Sequence, residues 1–216
     1  ACLAVPSDPT PEALALLPRR HSDGNQPQYT SAKLSSWCRL RRPLEDPIRY
    51  KGIGVGEVLL VRQGKRRLRD DSQDFIKSLE FLEGLTSNLL VVYKDGTVRT
   101  APVGTVLSGY ARNLVVEELN EIQLNKSILP AFQLTLDELN APTIQDAKNG
   151  LWSEVFITSA IRLIVPVNQV LIPPVGDNVE PTTLWQSNCD EHSAHQFTRS
   201  IRSAIYKRGY ASATFR

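Results

Sequence analysis

The chain has 216 residues, 41% hydrophobic and 22% charged, with a formal net charge of +2. That balance excludes a chain disordered throughout and gives no global case for a polyanion partner. It carries enough apolar material for one large domain or two modest ones.

Residues 1–32 are rich in Pro, Ser, Gln and Asn and read as a linker or remnant segment, with one helical turn between Glu12 and Leu17. The opening Ala1–Pro6 lacks a basic front and its apolar run stops at a proline, so it is not read as a signal peptide. The first residue is not Met and the chain contains none, so a processed chain or a piece of a longer product is expected. Trp37–Glu45 suits a short helix stopped near Pro43, and Val55–Arg62 a buried strand. The charged stretch Gln63–Ser78 reads as an exposed loop or partial helix. Glu83 falls at a strand end beside Gly84. Asn88–Tyr93 and Thr97–Thr100 read as two strands joined through Lys94-Asp95-Gly96, and Asp-Gly between strand-like runs is a strong hairpin signal. After Leu107-Ser108-Gly109-Tyr110, a helix is expected to about Gln123, with Ala111, Val115, Leu119 and Ile122 on one face. Glu154–Ile157 and Arg162–Val167 read as buried strands flanking a Thr158-Ser159-Ala160 turn. Arg199–Arg208, with Ile201 and Ile205 four apart, reads as a C-terminal amphipathic helix. The expected fold class is α+β: a mixed, partly barrel-like sheet from strands near 55–62, 88–93, 97–100, 154–157 and 162–167, surrounded by helices.

Several motifs carry less than they suggest. Gly52, Gly54 and Gly56 precede a strand, whereas a phosphate-cradling loop follows one and opens a helix. Asn125-Lys126-Ser127 is a glycosylation sequon with meaning only on a secretory route. The basic run Lys65–Arg69 is nearly cancelled by Asp70, Asp71 and Asp74 and reads as solvated charge, so no nucleic-acid partner is assigned. Asp190-Glu191-His192 with His195 invites a metal reading, but two histidines three apart with no confirmed third ligand read as polar surface; no metal is assigned. Cys2, Cys38 and Cys189 are odd in number and far apart, which favours an intracellular compartment, cytoplasmic by default with an organelle left open. The most apolar run, Leu163–Val175, is interrupted by Asn168, Gln169 and three prolines, so no membrane partner is expected.

Three segments resemble the C-terminal half of the class IV, D-amino-acid aminotransferase-like and branched-chain aminotransferase-like, pyridoxal-phosphate enzymes. Phe81–Pro102 resembles the family's glutamate-glycine, Ser-Asn, strand and Asp-Gly hairpin signature. Val106–Arg112 is similar to its Leu-Pro-Gly-x-x-Arg turn, and Glu154–Ala160 with Val165-Pro166-Val167 to its Glu-Val-Phe, Thr/Ser and Pro-Val segment. Upstream, Ala32–Trp37 with Arg42–Glu45 is similar to the catalytic-lysine segment of eukaryotic members.

The resemblance implies a cofactor, pyridoxal 5'-phosphate, and assigns roles. Lys33 would be the Schiff-base lysine and general acid/base. Glu83 would keep the ring nitrogen protonated, and Asn88 of the Ser-Asn pair joins the cofactor set. Leu107 would pack on a ring face, and Gly109, Tyr110 and Ala111 would offer helix-start amides to the phosphate. Thr158, Ser159 and Ala160 would supply a second group of phosphate contacts. The implied reaction is amino transfer between an amino acid and a 2-oxo acid, and the implied assembly a homodimer. Aminodeoxychorismate lyase belongs to the same family and stays open; so does a non-catalytic, truncated remnant acting as an interaction module.

The sequence departs from the family at Ser108, usually proline, at Ala111, often threonine, and at Ala160, normally a hydroxyl residue. The stretch Arg66–Leu79 looks like an insertion. The family's small N-terminal domain is expected to be missing, leaving residues 33–216 as the cofactor-binding domain.

Overall fold

The computed structural model describes residues 3–6, 17–18, 56–63, 79–124, 134–172, 181–187 and 195–213. Lys33, the expected helix at 37–45, residues 64–78, the sequon and all three cysteines lie outside the described residues.

Among the described residues, ten strands form one sheet: β1 Leu3–Pro6, β2 Leu17–Pro18, β3 Glu57–Gln63, β4 Leu79–Gly84, β5 Asn88–Tyr93, β6 Thr97–Thr100, β7 Thr135–Asp137, β8 Trp152–Ser159, β9 Leu163–Ile172 and β10 Thr182–Gln186. The order is β10-β9-β1-β3-β4-β5-β6-β7, with β2 beside β3 and β8 bridging β5 and β9. The pairings β9-β1-β3-β4-β5-β8-β9 therefore close on themselves, and the class is α+β with a barrel-like sheet, as expected. Within the segment read as a linker, residues 3–6 pair with both β3 and β9.

Among the described residues, three helices accompany the sheet: α1 Tyr110–Gln123, α2 Ile144–Lys148 and α3 Gln196–Ala213. Among the described residues, no helix is long and apolar enough to cross a membrane.

Side chains alternate across a strand, so a strand buried throughout needs cover on both faces. β5 is such a strand. One of its faces sends Leu89, Val91 and Tyr93 into a core with Phe81, Trp152, Ile157 and Trp185, and Phe81 meets Trp152 edge-on at 5.2 Å. The other sends Leu90 and Val92 against α1 and α3, where they join Val115, Leu119, Ile122, Phe156, Phe197 and Ile201. The predicted α1 face is thus the buried one, and Ala111 is buried with it. The Asp95-Gly96 turn forms as expected, with the Asp95 carboxylate accepting from Thr97 N at 2.8 Å.

Other expectations need correction. β8 and β9 are longer than read, and the turn between them is 160–162 rather than 158–160. Thr158 pairs across the ladder with both Asn88 and Ile164, and Ser159 with Leu163, so these two residues extend the strand. The C-terminal helix starts at Gln196, three residues earlier than expected. His195 is not polar surface: it is buried, with Nε2 2.9 Å from Asn168 Oδ1. Burial pushes its pKa below the ordinary histidine value, helped by Arg199 and opposed by Glu154.

Candidate functional site

Glu83 closes β4, Asn88 opens β5, and the two are cross-strand partners. Asn88 in turn opposes Thr158 of β8. Directly opposed residues project from the same face of a sheet. Glu83, Asn88 and Thr158 therefore form one row, at the end of the face that α1 and α3 cover.

The loop before α1 is fastened to this row. Asn88 Nδ2 donates to the Leu107 carbonyl at 2.8 Å and lies 3.5 Å from Glu83 Oε2. Leu107 N donates to the same Glu83 oxygen at 3.3 Å. Both backbone polar groups of Leu107 are thus held by the Glu83–Asn88 pair. Two residues on, Gly109 is the N-cap of α1, and a Cβ built there would lie 2.5 Å from Asn88 Oδ1. Any side chain at 109 would have to displace Asn88, which accounts for glycine at this close approach.

The first turn of α1 has no side-chain cap and no acidic residue. Its leading N–H groups have no intrahelical partner and carry the positive end of the helix dipole. Ser108 does not turn back to them; its hydroxyl donates to Asn113 Oδ1 at 2.8 Å. Tyr110 is exposed and Ala111 buried. Thr158 is 1% exposed, and its hydroxyl has no hydrogen-bond partner among the described residues. A carboxylate, a buried hydroxyl and an uncapped helix start are thus gathered at one end of one sheet face. That set can receive a ligand bearing both a protonated nitrogen and an anionic group.

The remaining sequence candidates divide. Ser159 follows Thr158 on the strand and so projects to the opposite face, where its hydroxyl accepts from Arg162 N at 3.1 Å. Ala160 is exposed in the turn. Lys33 lies outside the described residues. Arg112, the arginine of the turn motif, is buried and paired with Glu138 at 2.6 Å, so it anchors α1.

Sequence reasoning missed one neighbour. Glu57 of β3 is buried and accepts from the Thr86 hydroxyl, beneath the turn that joins Glu83 to Asn88. Burial raises its pKa, opposed by hydrogen bonds from Thr86 and Val58. A single acid inside an apolar run, Gly56-Glu57-Val58-Leu59-Leu60-Val61, was the available signal.

No protein-family model matches the chain, and no curated protein is matched by its sequence. Its fold is similar to that of a fold IV transaminase from Curtobacterium pusillum, with a TM-score of 0.51 and 17% identity over 89% of this chain and 52% of the other. The branched-chain amino acid aminotransferase from Escherichia coli gives a TM-score of 0.52 and 18% identity over 89% and 51% of the two chains. An aminotransferase from Brucella abortus, bound to the co-factor PLP, gives 0.50 and 19% over 83% and 48%. The chain spans about half the length of these structures. Its fold is that of the C-terminal domain of class IV aminotransferases.

Proposed function

We propose that this chain is the cofactor-binding half of a class IV pyridoxal-phosphate enzyme that moves an amino group between an amino acid and a 2-oxo acid. The observation that carries the reading is the Glu83–Asn88–Thr158 row fastened to the uncapped start of α1. The residues fit the cofactor. An unpartnered hydroxyl at Thr158 and free leading amides on α1 suit a phosphate, and a carboxylate held at a strand end suits a pyridine nitrogen. When bound, pyridoxal phosphate supplies an electron sink that acidifies the Cα–H of an amino acid.

The chain's own residues would divide the remaining work. Glu83 would hold a proton on the ring nitrogen, and Asn88 would hold Glu83 and Leu107 in place. The α1 amides from Tyr110 onward would bind the phosphate with the Thr158 hydroxyl, and Leu107 would lie against the ring. Ser159, on the opposite face, and Ala160, in the exposed turn, would lie outside this set. Lys33 would carry the cofactor covalently and move the Cα proton, for which an amine with a depressed pKa is suited. The assembled enzyme would be a homodimer. One observation favours the reading of a non-catalytic remnant: Ala160 offers a methyl in an exposed turn where the resemblance calls for a hydroxyl.

The test is reduction with borohydride in the presence of pyridoxal phosphate, followed by peptide mapping. A pyridoxyl adduct on Lys33, lost in Lys33→Ala, is expected. A chain that forms no adduct ends the cofactor reading. An adduct without amino transfer to any 2-oxo acid supports the remnant, and turnover removes it.

A further inference from the structure

The turn that joins Glu83 to Asn88 is held from beneath. Gly84 N donates to Ser87 O at 2.7 Å, which closes the turn, and Leu85 N donates to Val58 O at 2.9 Å, which lays it on β3. Glu57 sits at that contact. It is 6% exposed, its Oε2 accepts from the Thr86 hydroxyl, and its Oε1 lies 3.3 Å from Val58 N. Gly84 presses directly on it: a Cβ at 84 would collide with Ser87 Oγ and lie 2.9 Å from Glu57 Cγ. A buried carboxyl is costly unless hydrogen-bonded. Here its side-chain donor is the turn residue midway between the two members of the proposed site. An apolar residue at 57 would fill the space without specifying where residue 86 sits.

We propose that Glu57 is a positioning residue: through Thr86 it fixes the 84–87 turn and thereby the spacing of Glu83 and Asn88. Glu57 reaches neither Leu107 nor the start of α1; it acts through the turn alone. The consequence for cofactor binding rests on the function proposed above, whereas the consequence for the geometry of the turn does not.

The experiment therefore has two readouts, taken on the full chain. Carboxyl and side-chain amide NMR of the apo protein follows Glu83 and Asn88 directly. Titration with pyridoxal phosphate follows binding and the position of the absorbance band. The variants are Thr86→Val, which keeps shape and removes only the hydroxyl, Glu57→Gln, which keeps an acceptor, and Glu57→Ala. Thr86→Val and Glu57→Ala are expected to shift the Asn88 amide signals and the Glu83 titration. They should also weaken cofactor binding by about tenfold, the equivalent of one lost hydrogen bond. Glu57→Gln should restore both readouts to near wild type. Unmoved Glu83 and Asn88 signals in folded Thr86→Val would overturn the proposal, whether or not the cofactor binds. Moved signals in a chain that binds no pyridoxal phosphate would uphold it and sink the proposed function instead. Where Glu57→Ala does not fold, Thr86→Val with Glu57→Gln decides the question alone.

Discussion

α1 and α3 pack on the same face of the sheet, yet their N-termini are treated in opposite ways. At α3 a carboxylate from the sheet does the capping: Glu154 of β8 accepts from Phe197 N and Thr198 N, each at 2.9 Å, and from the Thr198 hydroxyl at 2.7 Å. At α1 no side chain caps the start and the first turn holds no acid. The orphan amides of a helix start need an acceptor, from the protein, from water or from a ligand. The contrast teaches that one helix start is built for stability, while the other is left, among the described residues, without a side-chain acceptor.

The contrast breaks most severely at Glu154. Glu154→Ala should strip the acceptor from two amides and a hydroxyl and cost about 3 kcal/mol in urea unfolding, the scale of charged hydrogen bonds and a lost cap. A loss below about 0.5 kcal/mol would mean that water caps α3 equally well. Thr158→Val probes the other side. The variant should fold with stability within about 1 kcal/mol of wild type, because an unpaired buried hydroxyl is replaced by a methyl of the same shape. Its affinity for pyridoxal phosphate should nevertheless fall by about tenfold. Equal affinity in the two proteins removes Thr158 from the site.

Tyr110→Glu gives the first turn of α1 the acid it lacks. The dipole argument predicts a gain of about 0.5 kcal/mol in thermal stability, set against weaker cofactor binding that recovers partly at high salt. A stabilised variant that binds the cofactor as well as before would show that the phosphate lies elsewhere. The smallest effect concerns pH. His195 precedes α3 with φ 56°, a backbone that asparagine tolerates, and burial lowers its pKa from 6.5. As pH falls through the unfolded value, the unfolded chain takes up a proton that the folded chain refuses, so stability is lost on acidification. His195→Asn should remove that part of the slope. Parallel stability curves for the two proteins from about pH 7.5 to about pH 5 would contradict it.

What could be read in the sequence followed the range of the interactions. The 88–100 hairpin rests on a local Asp-Gly turn, and the α1 face on a period of three to four residues; both appeared where expected. β7 has three residues and α2 five, too short for any period to register. α2 is announced only by Thr143, whose hydroxyl accepts from Asp146 N at 3.0 Å. Glu154 was read as one residue of a buried strand, because its partners lie more than forty positions away. Glu83, Asn88 and Thr158 were each named from resemblance, but their alignment in one row is a fact of strand register that no residue pattern displays. Thr158 and Ser159 were read as a turn because they stand between two apolar runs and resemble the family's Thr/Ser segment; ladder pairing on both sides of Thr158 decided otherwise.

The closed ring of strands also constrains how the molecule is made. β1 completes it by lying between β3 and β9, with Leu3 opposite Val58 on one side and Leu171 on the other. Pairings across so long a loop are entropically late events. On a ribosome, the four residues of β1 would emerge well before β9 and wait for it. Until that strand arrives, β1 presents an unpaired edge of the kind on which nascent chains associate wrongly. Closing the ring is therefore a meeting of strands synthesised far apart in time, and the interval between them is when this fold is most exposed to misassembly.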